Sequence, residues 1–250
     1  MMWNIYLNHS QLGGEGMTGH GLALLAGYLI GSISFSRLFV SRFAPDVALS
    51  DIQVKDERTG TSYARPPNAT TVSMALGWQA GMVISLLDMA KVIVPMLLFR
   101  HFFPGETYFL ASSAGALLGN NWPLYYGFNG GSGLSVIYGS LLIIDPLSIP
   151  VTVLAGLILG LFAMRSMLLT FVLPLLLLLP WFWFRTGSIA YMLFALAMIG
   201  GYAVTLVKDI RVYLARGQGE VISERAVMEQ IPMGRGMLKM LDKLGLKKER

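Results

Sequence analysis

Apolar runs long enough for a bilayer recur from residue 20 to residue 207. That recurrence limits the fold more than any other feature, since a helix needs about 20 apolar residues to cross a ~30 Å hydrocarbon core. Candidate spans fall at 20–42, 73–99, 107–119, 134–144, 148–164, 166–184 and 188–207. The expected fold class is an all-α integral membrane protein with about seven transmembrane helices. The first, second, sixth and seventh spans are the full-length ones. The third and fourth are short and suit half-spans or re-entrant helices, which need cover from protein or a wet cavity. Only 13% of residues are charged, half the share of a typical soluble domain, which excludes a water-soluble globule and a disordered chain.

The basic residues orient the spans. Of 19 Lys and Arg, 15 fall in the 43–72 loop, at Arg42 and Arg165, or from Lys208 onward; only Arg100 and Arg185 lie in loops on the opposite side. The positive-inside rule then predicts the N-terminus outside and the C-terminus in the cytoplasm, with loops 43–72 and 120–133 cytoplasmic. Residues 1–19 hold no Lys or Arg and so lack the basic start of a cleaved signal peptide. Two regions are expected: a polytopic membrane domain over 1–214 and a basic, partly amphipathic cytoplasmic tail over 215–250. In the tail Met237, Leu238, Met240, Leu241 and Leu244 alternate with Lys239, Lys243, Lys247 and Lys248. Such a segment lies on an anionic leaflet or stays solvated and only fixes topology.

The chain has no cysteine and three histidines, His9, His20 and His101. No thiolate metal site, iron–sulfur cluster or cysteine nucleophile is available, and neither metalloprotease, nucleotide-binding nor serine-hydrolase motifs occur. Polar residues at membrane depth are the better guide. The first span carries Ser32, Ser34, Ser36 and Arg37; the serines suit close helix packing, and Arg37 is near enough to the cytoplasmic end to snorkel. In the second span Asp88 and Lys91 share a helix face at i, i+3 and can pair, as a structural ion pair or as catalytic groups. Loop 51–72 brings Arg58, Arg65 and Asn68 among several hydroxyls. That set suits a phosphate, which Arg binds with two parallel N–H bonds, though a solvated loop has the same composition. Loop 119–133 ends in Gly130-Gly131-Ser132-Gly133, a run able to present successive N–H groups as an anion nest before the fourth span.

Together these segments resemble the PlsY family of integral-membrane glycerol-3-phosphate acyltransferases, over about residues 22–216. Gly31-Ser32-Ile33-Ser34 is similar to the family's GSIP/GSIS sequence. Asp56-Glu57-Arg58-Thr59 is similar to its D-P-R turn, and Pro67-Asn68-Ala69-Thr70-Thr71-Val72 to the end of its GSGNPGATNV loop. Asp88 and Lys91 fit its D-V-x-K-G pattern. The segment from Leu118 to Gly133 follows L-G-H-x-W/F-P…F-K-G-G-K-G closely. The departures are specific. The family's motif histidine is Asn120, its two lysines are Asn129 and Ser132, and its late H-x-x-N pair falls on Leu206 and Asp209. Lost cationic phosphate ligands cost several kcal/mol unless replaced; Arg65 and Lys208 are local candidates.

The resemblance implies acyl transfer from acyl phosphate to sn-glycerol 3-phosphate, giving lysophosphatidic acid for phospholipid synthesis. It implies a multi-pass protein of the cell (inner) membrane, no cofactor and no metal, a membrane-lipid setting and no nucleic-acid partner. An upstream acyl-phosphate-forming enzyme would supply the donor. As catalytic residues it implies Ser34, near the reacting groups, and Arg58, on a phosphate. As substrate-binding residues it implies Arg65, Asn68, Ala69, Thr70, Asn120, Gly130, Gly131, Ser132, Gly133 and Asp209. The lost basic residues favour an alternative, a divergent non-catalytic relative that binds a phosphorylated lipid or a partner protein. A small transporter is a third reading, which the intramembrane Arg37, Asp88 and Lys91 permit but no matched pair of broken helices supports.

Overall fold

A computed structural model describes residues 13–45, 53–55, 62–64, 68–160 and 167–216. The first apolar run is not one helix. It forms α1 (Gly13–Gly31) and α2 (Phe35–Phe43). The Ser32 hydroxyl turns back to donate to the Tyr28 carbonyl at 2.8 Å, and Ser34 caps α2 by accepting the Arg37 N–H at 3.5 Å. Serine side chains that bond to nearby backbone compete with the helical ladder and favour such a cap.

After α2, β1 (Gln53–Lys55) pairs antiparallel with β2 (Ser62–Ala64), with Val54 opposite Tyr63. This short loop ribbon is an addition to the expected all-helical membrane fold, and β-branched and aromatic residues suit the pairing. Next come α3 (Ala69–Leu76) and α4 (Trp78–Phe102), separated at Gly77, whose φ of +97° favours glycine. The rest of the chain forms α5 (Tyr108–Asn121), α6 (Leu134–Ile144), α7 (Ser148–Ile158), α8 (Met167–Leu176), α9 (Leu178–Thr186) and α10 (Ile189–Arg216).

Among the described residues, three stretches are long and apolar enough to cross a bilayer: Met17–Phe43, Trp78–Phe102 and Ile189–Val207. The expected sixth span is instead two short helices, α8 and α9, that meet at Leu177 one turn beyond Pro174. Proline removes a ladder donor and bends the helix there. The third and fourth spans are short, as α5 and α6; the fifth begins as α7, and its far end lies outside the described residues.

α1 packs closely on α5 because glycines strip side chains from the contact. A Cβ at Gly27 would overlap the Ser112 carbonyl, and one at Gly119 the Tyr28 carbonyl, the small-residue packing that membrane helices use. The main core gathers Val92, Met96, Leu117, Ile137, Leu141, Leu178, Phe182 and Met198 from α4, α5, α6, α9 and α10. A smaller core of Val40, Val72, Ala80 and Ile84 joins α2, α3 and the start of α4. Leu22, Leu86, Leu98, Leu154 and Leu193 lie exposed, as they should where lipid is the solvent.

The contacts sort into two poles. At one, His20 meets Thr107, Arg100 donates to the Ile143 carbonyl, and Asp145 accepts from Trp181 and faces Arg185. At the other, Tyr28 and Ser32 meet Trp122 and Leu124, and Asn121 and Ser132 meet α10. Arg100 and Arg185 thus share one pole, and loop 119–133 lies at the other.

Candidate active site

Among the described residues, the candidates Ser34, Asn68, Asn120 and Gly130 to Gly133 gather at the second pole around a buried cation. Lys91 is 6% exposed and is the fourteenth residue of α4, about 20 Å along the helix at 1.5 Å per residue. The helix α5 ends at this depth, where Asn120 meets the Lys91 ammonium, so the site lies inside the protein. The Lys91 ammonium pairs with Asp88 at 2.8 Å. It also donates to the Ile33 carbonyl at 2.9 Å and to Asn120 Oδ1 at 2.8 Å. The expected i, i+3 pair forms, and it reaches two further elements: the helix break beside Ser34 and the end of α5. Ser34 is half-buried, and its hydroxyl lies 3.0 Å from that of Ser36.

Asn120 then holds the glycine-rich loop. Its carbonyl accepts the Gly131 N–H at 3.0 Å. That bond corrects the expectation of an unbroken row of donors, since Gly131 is already spent on Asn120. A Cβ at Gly131 would lie 3.4 Å from Asn120 Nδ2 and 3.7 Å from the Asn68 Cβ, so loops 68–71 and 119–133 meet there. Asn68 caps α3 in a reciprocal box with Thr71, each bond 2.9 Å, which fixes the chain at that contact. Gly133 caps α6 at φ +82°, against Leu117 and Asn121. Gly130 packs on the Asn120 carbonyl and Pro123. From α10, Thr205 lies 3.4 Å from the Ser132 carbonyl.

A second cation covers the loop. Arg37 donates to the Asn129 carbonyl at 3.1 Å and lies 4.9 Å from the Tyr126 ring centre. It does more than snorkel, since it ties α2 to residues 126–129. Ala69 is half-buried and Thr70 exposed, both in the first turn of α3. Arg58, Arg65 and the 215–250 tail lie outside the described residues, and so do the side chains of Lys208 and Asp209 in α10. Among the described residues no three His, Asp or Glu side chains stand together.

Residues 21–214 match the family described as glycerol-3-phosphate acyltransferase. This chain belongs to that family. Among curated members, the glycerol-3-phosphate acyltransferase of Halalkalibacterium halodurans is 30% identical over 139 residues, 55% of this chain and 61% of that protein. The Shouchella clausii enzyme is 34% identical over 118 residues, 46% of this chain and 52% of that protein. The chain thus spans between half and two-thirds of the length of these relatives. The fold is that of PlsY (YgiH), an integral membrane glycerol 3-phosphate acyltransferase. Its glycerol 3-phosphate form is 21% identical, covers 82% of this chain and 95% of its own, and superposes with a TM-score of 0.58. Its lysophosphatidic acid form gives 0.60 at 19% identity, over 80% and 94% of the two chains. The protein is accordingly a multi-pass integral membrane protein.

Within this family fold, the sequence reading passed over Thr205, Asn121 and the loop-holding role of Arg37. Asn121 donates to the Gly201 carbonyl at 3.1 Å, fixing α10 beside the glycine loop. Only the polarity of Thr205 and Arg37 in otherwise apolar spans marked them in the sequence.

Proposed function

We propose that this protein transfers an acyl group from acyl phosphate to sn-glycerol 3-phosphate, releasing inorganic phosphate and lysophosphatidic acid. A bond forms between the glycerol hydroxyl oxygen and the acyl carbon. The bond from that carbon to the phosphate oxygen breaks, and the hydroxyl proton leaves on the departing phosphate. No histidine base is needed for that proton balance. What carries the reading, beyond family membership, is the meeting of Asn68, Asn120 and Gly131 beside the helix break that bears Ser34.

In this reading Ser34 contacts substrate near the reacting groups and Arg58 holds a phosphate. Arg65, Asn68, Ala69, Thr70, Asn120, Ser132, Asp209 and the backbone of Gly130, Gly131 and Gly133 line the substrates. Fixed donors at the developing oxyanion and a held acceptor hydroxyl supply the rate. The site opens to the cytoplasm from the cell (inner) membrane. There an acyl-phosphate-forming enzyme delivers the donor, and the 215–250 tail rests on the leaflet. An apolar groove of about 430 Å³ between α2 and α4, lined by Phe39, Phe43, Leu76, Gln79, Ala80 and Val83, takes the acyl chain.

Purified protein given acyl phosphate and glycerol 3-phosphate should form lysophosphatidic acid, read by mass spectrometry. The absence of lysine at Asn129 and Ser132 favours the second reading, a relative that binds a phosphorylated lipid or a partner without turnover. No product from acyl phosphate, acyl-CoA or acyl carrier protein selects that reading.

A further inference from the structure

Lysine at membrane depth is expensive, and it persists where it serves a site. The Lys91 ammonium has three N–H groups and no acceptor. All three have partners: Asp88 Oδ1, the Ile33 carbonyl and Asn120 Oδ1, each within 2.9 Å. A saturated ammonium has no donor left for a substrate, so Lys91 acts through what it holds. Two of the three partners anchor it. Asp88 is on the same helix, and Ile33 is backbone. The third, the Asn120 carboxamide, is the only one with a second functional end.

The orientation of that carboxamide follows from chemistry. Because lysine can only donate, the Asn120 oxygen must face it, and the NH₂ group must face away. The face it turns to is Gly131, where a Cβ would lie 3.4 Å from Asn120 Nδ2. Beyond Gly131 stands Asn68, so the NH₂ group points into the junction of the two candidate phosphate loops. Among the described residues, and apart from the backbone ladder of α5, Asn120 accepts from Lys91 at its Oδ1 and from the Gly131 N–H at its carbonyl.

We propose that Lys91, held by Asp88 and the Ile33 carbonyl, is a positioning residue that aims the Asn120 NH₂ group at an anionic oxygen of the substrate between Gly131 and Asn68. This rests on the acyltransferase reading above. Asn120 becomes a neutral fixed donor, turned toward substrate by a buried cation. The Asp88–Lys91 pair then does more than neutralise itself, since it sets the direction of that donor.

The test is a cycle in the purified full-length protein. Asp88→Asn with Lys91→Met removes the strut without leaving an unpaired buried charge, so the fold should be kept. Asn120→Leu removes the aimed donor. Each should lower kcat/KM at least about tenfold, the double variant with the melting temperature near that of wild type and Asn120→Leu with a lower one, since it strips a partner from the buried Lys91 ammonium. Because Lys91 works through Asn120, the triple variant should be no slower than Asn120→Leu by more than about threefold. Losses that multiply, or a strut-free variant with wild-type transfer, would overturn the proposal. If strut-free variants do not fold, Asn120→Leu decides alone, and undiminished transfer sinks it. If wild type transfers nothing, the acyltransferase reading fails by itself. The strut is then read from stabilisation by glycerol 3-phosphate. A wild-type shift lost in Asn120→Leu sustains it; no wild-type shift, or one retained in the variant, overturns it.

Discussion

Gly131 stands against Asn68 with room for one methyl between them: a Cβ at 131 would meet the Asn68 Cβ at 3.7 Å. That is ordinary van der Waals distance, and φ at 131 is not positive. Gly131→Ala should therefore fold normally while filling the gap where the two loops face each other. Gly133 differs: its φ is +82° and an added Cβ would run into Leu117 and Asn121. Gly133→Ala should cost at least about 1–2 kcal/mol of stability. Thermal unfolding beside acyl transfer separates the two; a Gly131→Ala protein with full activity would place the substrate elsewhere.

In the sequence the two loops stand out as candidate sites because glycines, asparagines and arginines cluster where apolar spans pause. It showed the Asp88–Lys91 pair through i, i+3 spacing alone. It did not show that Lys91 reaches Asn120, 29 residues on, because helix packing brings those atoms together and no local pattern encodes it. The break at Ser32–Ser34 is hidden for a related reason: two serines barely change the mean hydropathy of a long apolar run, while their hydroxyls rewire the backbone. The sixth span looks continuous in the sequence despite Pro174, since membrane helices tolerate proline. The family resemblance, by contrast, was fully legible, because motif order and spacing survive when the charged residues within the motifs have changed.

Arg37 gives a second prediction. Its guanidinium bonds to the Asn129 carbonyl and packs on Tyr126, so it clamps the segment leading into the glycine loop from α2. Exposed cation–π contacts contribute about 0.5–1 kcal/mol, so Arg37→Ala should shift stability little. The freed loop should still lower kcat/KM by about tenfold, the cost of losing fixed geometry near the reacting atoms. Arg37→Lys should recover only part of that, because lysine lacks the planar face. Kinetics with wild-type values in Arg37→Ala would show that the clamp is idle.

Orientation can be read directly. Cysteines placed at Thr61 and Asn129 should react only from the cytoplasmic side, and one at Glu15 only from outside. The native chain has no cysteine, so membrane-impermeant thiol reagents label only these positions. Labelling of Thr61 and Glu15 from one side would overturn the orientation and with it a cytoplasmic site.

The apolar groove predicts chain-length selection. Val83 is 42% exposed and lines it, so a larger side chain there fills the groove without disturbing the buried core. Val83→Trp should shift preference toward shorter acyl phosphates, at about 0.8 kcal/mol per methylene excluded. Product chain-length profiles from mixed donors measure it, and an unchanged profile removes the groove from acyl binding.

The strongest demand falls on Arg58. With Asn129 and Ser132 in place of lysines, an active enzyme must carry the substrate phosphate on fewer cations. If Arg58 holds that phosphate, as proposed above, it bears more of the charge than the matching residue in a lysine-bearing relative. Removing one charge-assisted contact costs on the order of 2–4 kcal/mol, about 30- to 1,000-fold in kcat/KM. Arg58→Ala should nearly abolish transfer, and Arg58→Lys should rescue it in part, since lysine cannot make the planar two-point contact. Ser34→Ala should also be severe. Ser132→Lys combined with Asn120→His moves the site toward the family pattern. In an enzyme with its own compensation, that change should be neutral or harmful, because histidine at 120 must replace the carboxamide oxygen that now accepts from Lys91. In a relative that has lost turnover, the same change should raise transfer above background. Transfer that survives Arg58→Ala unchanged would refute the phosphate assignment.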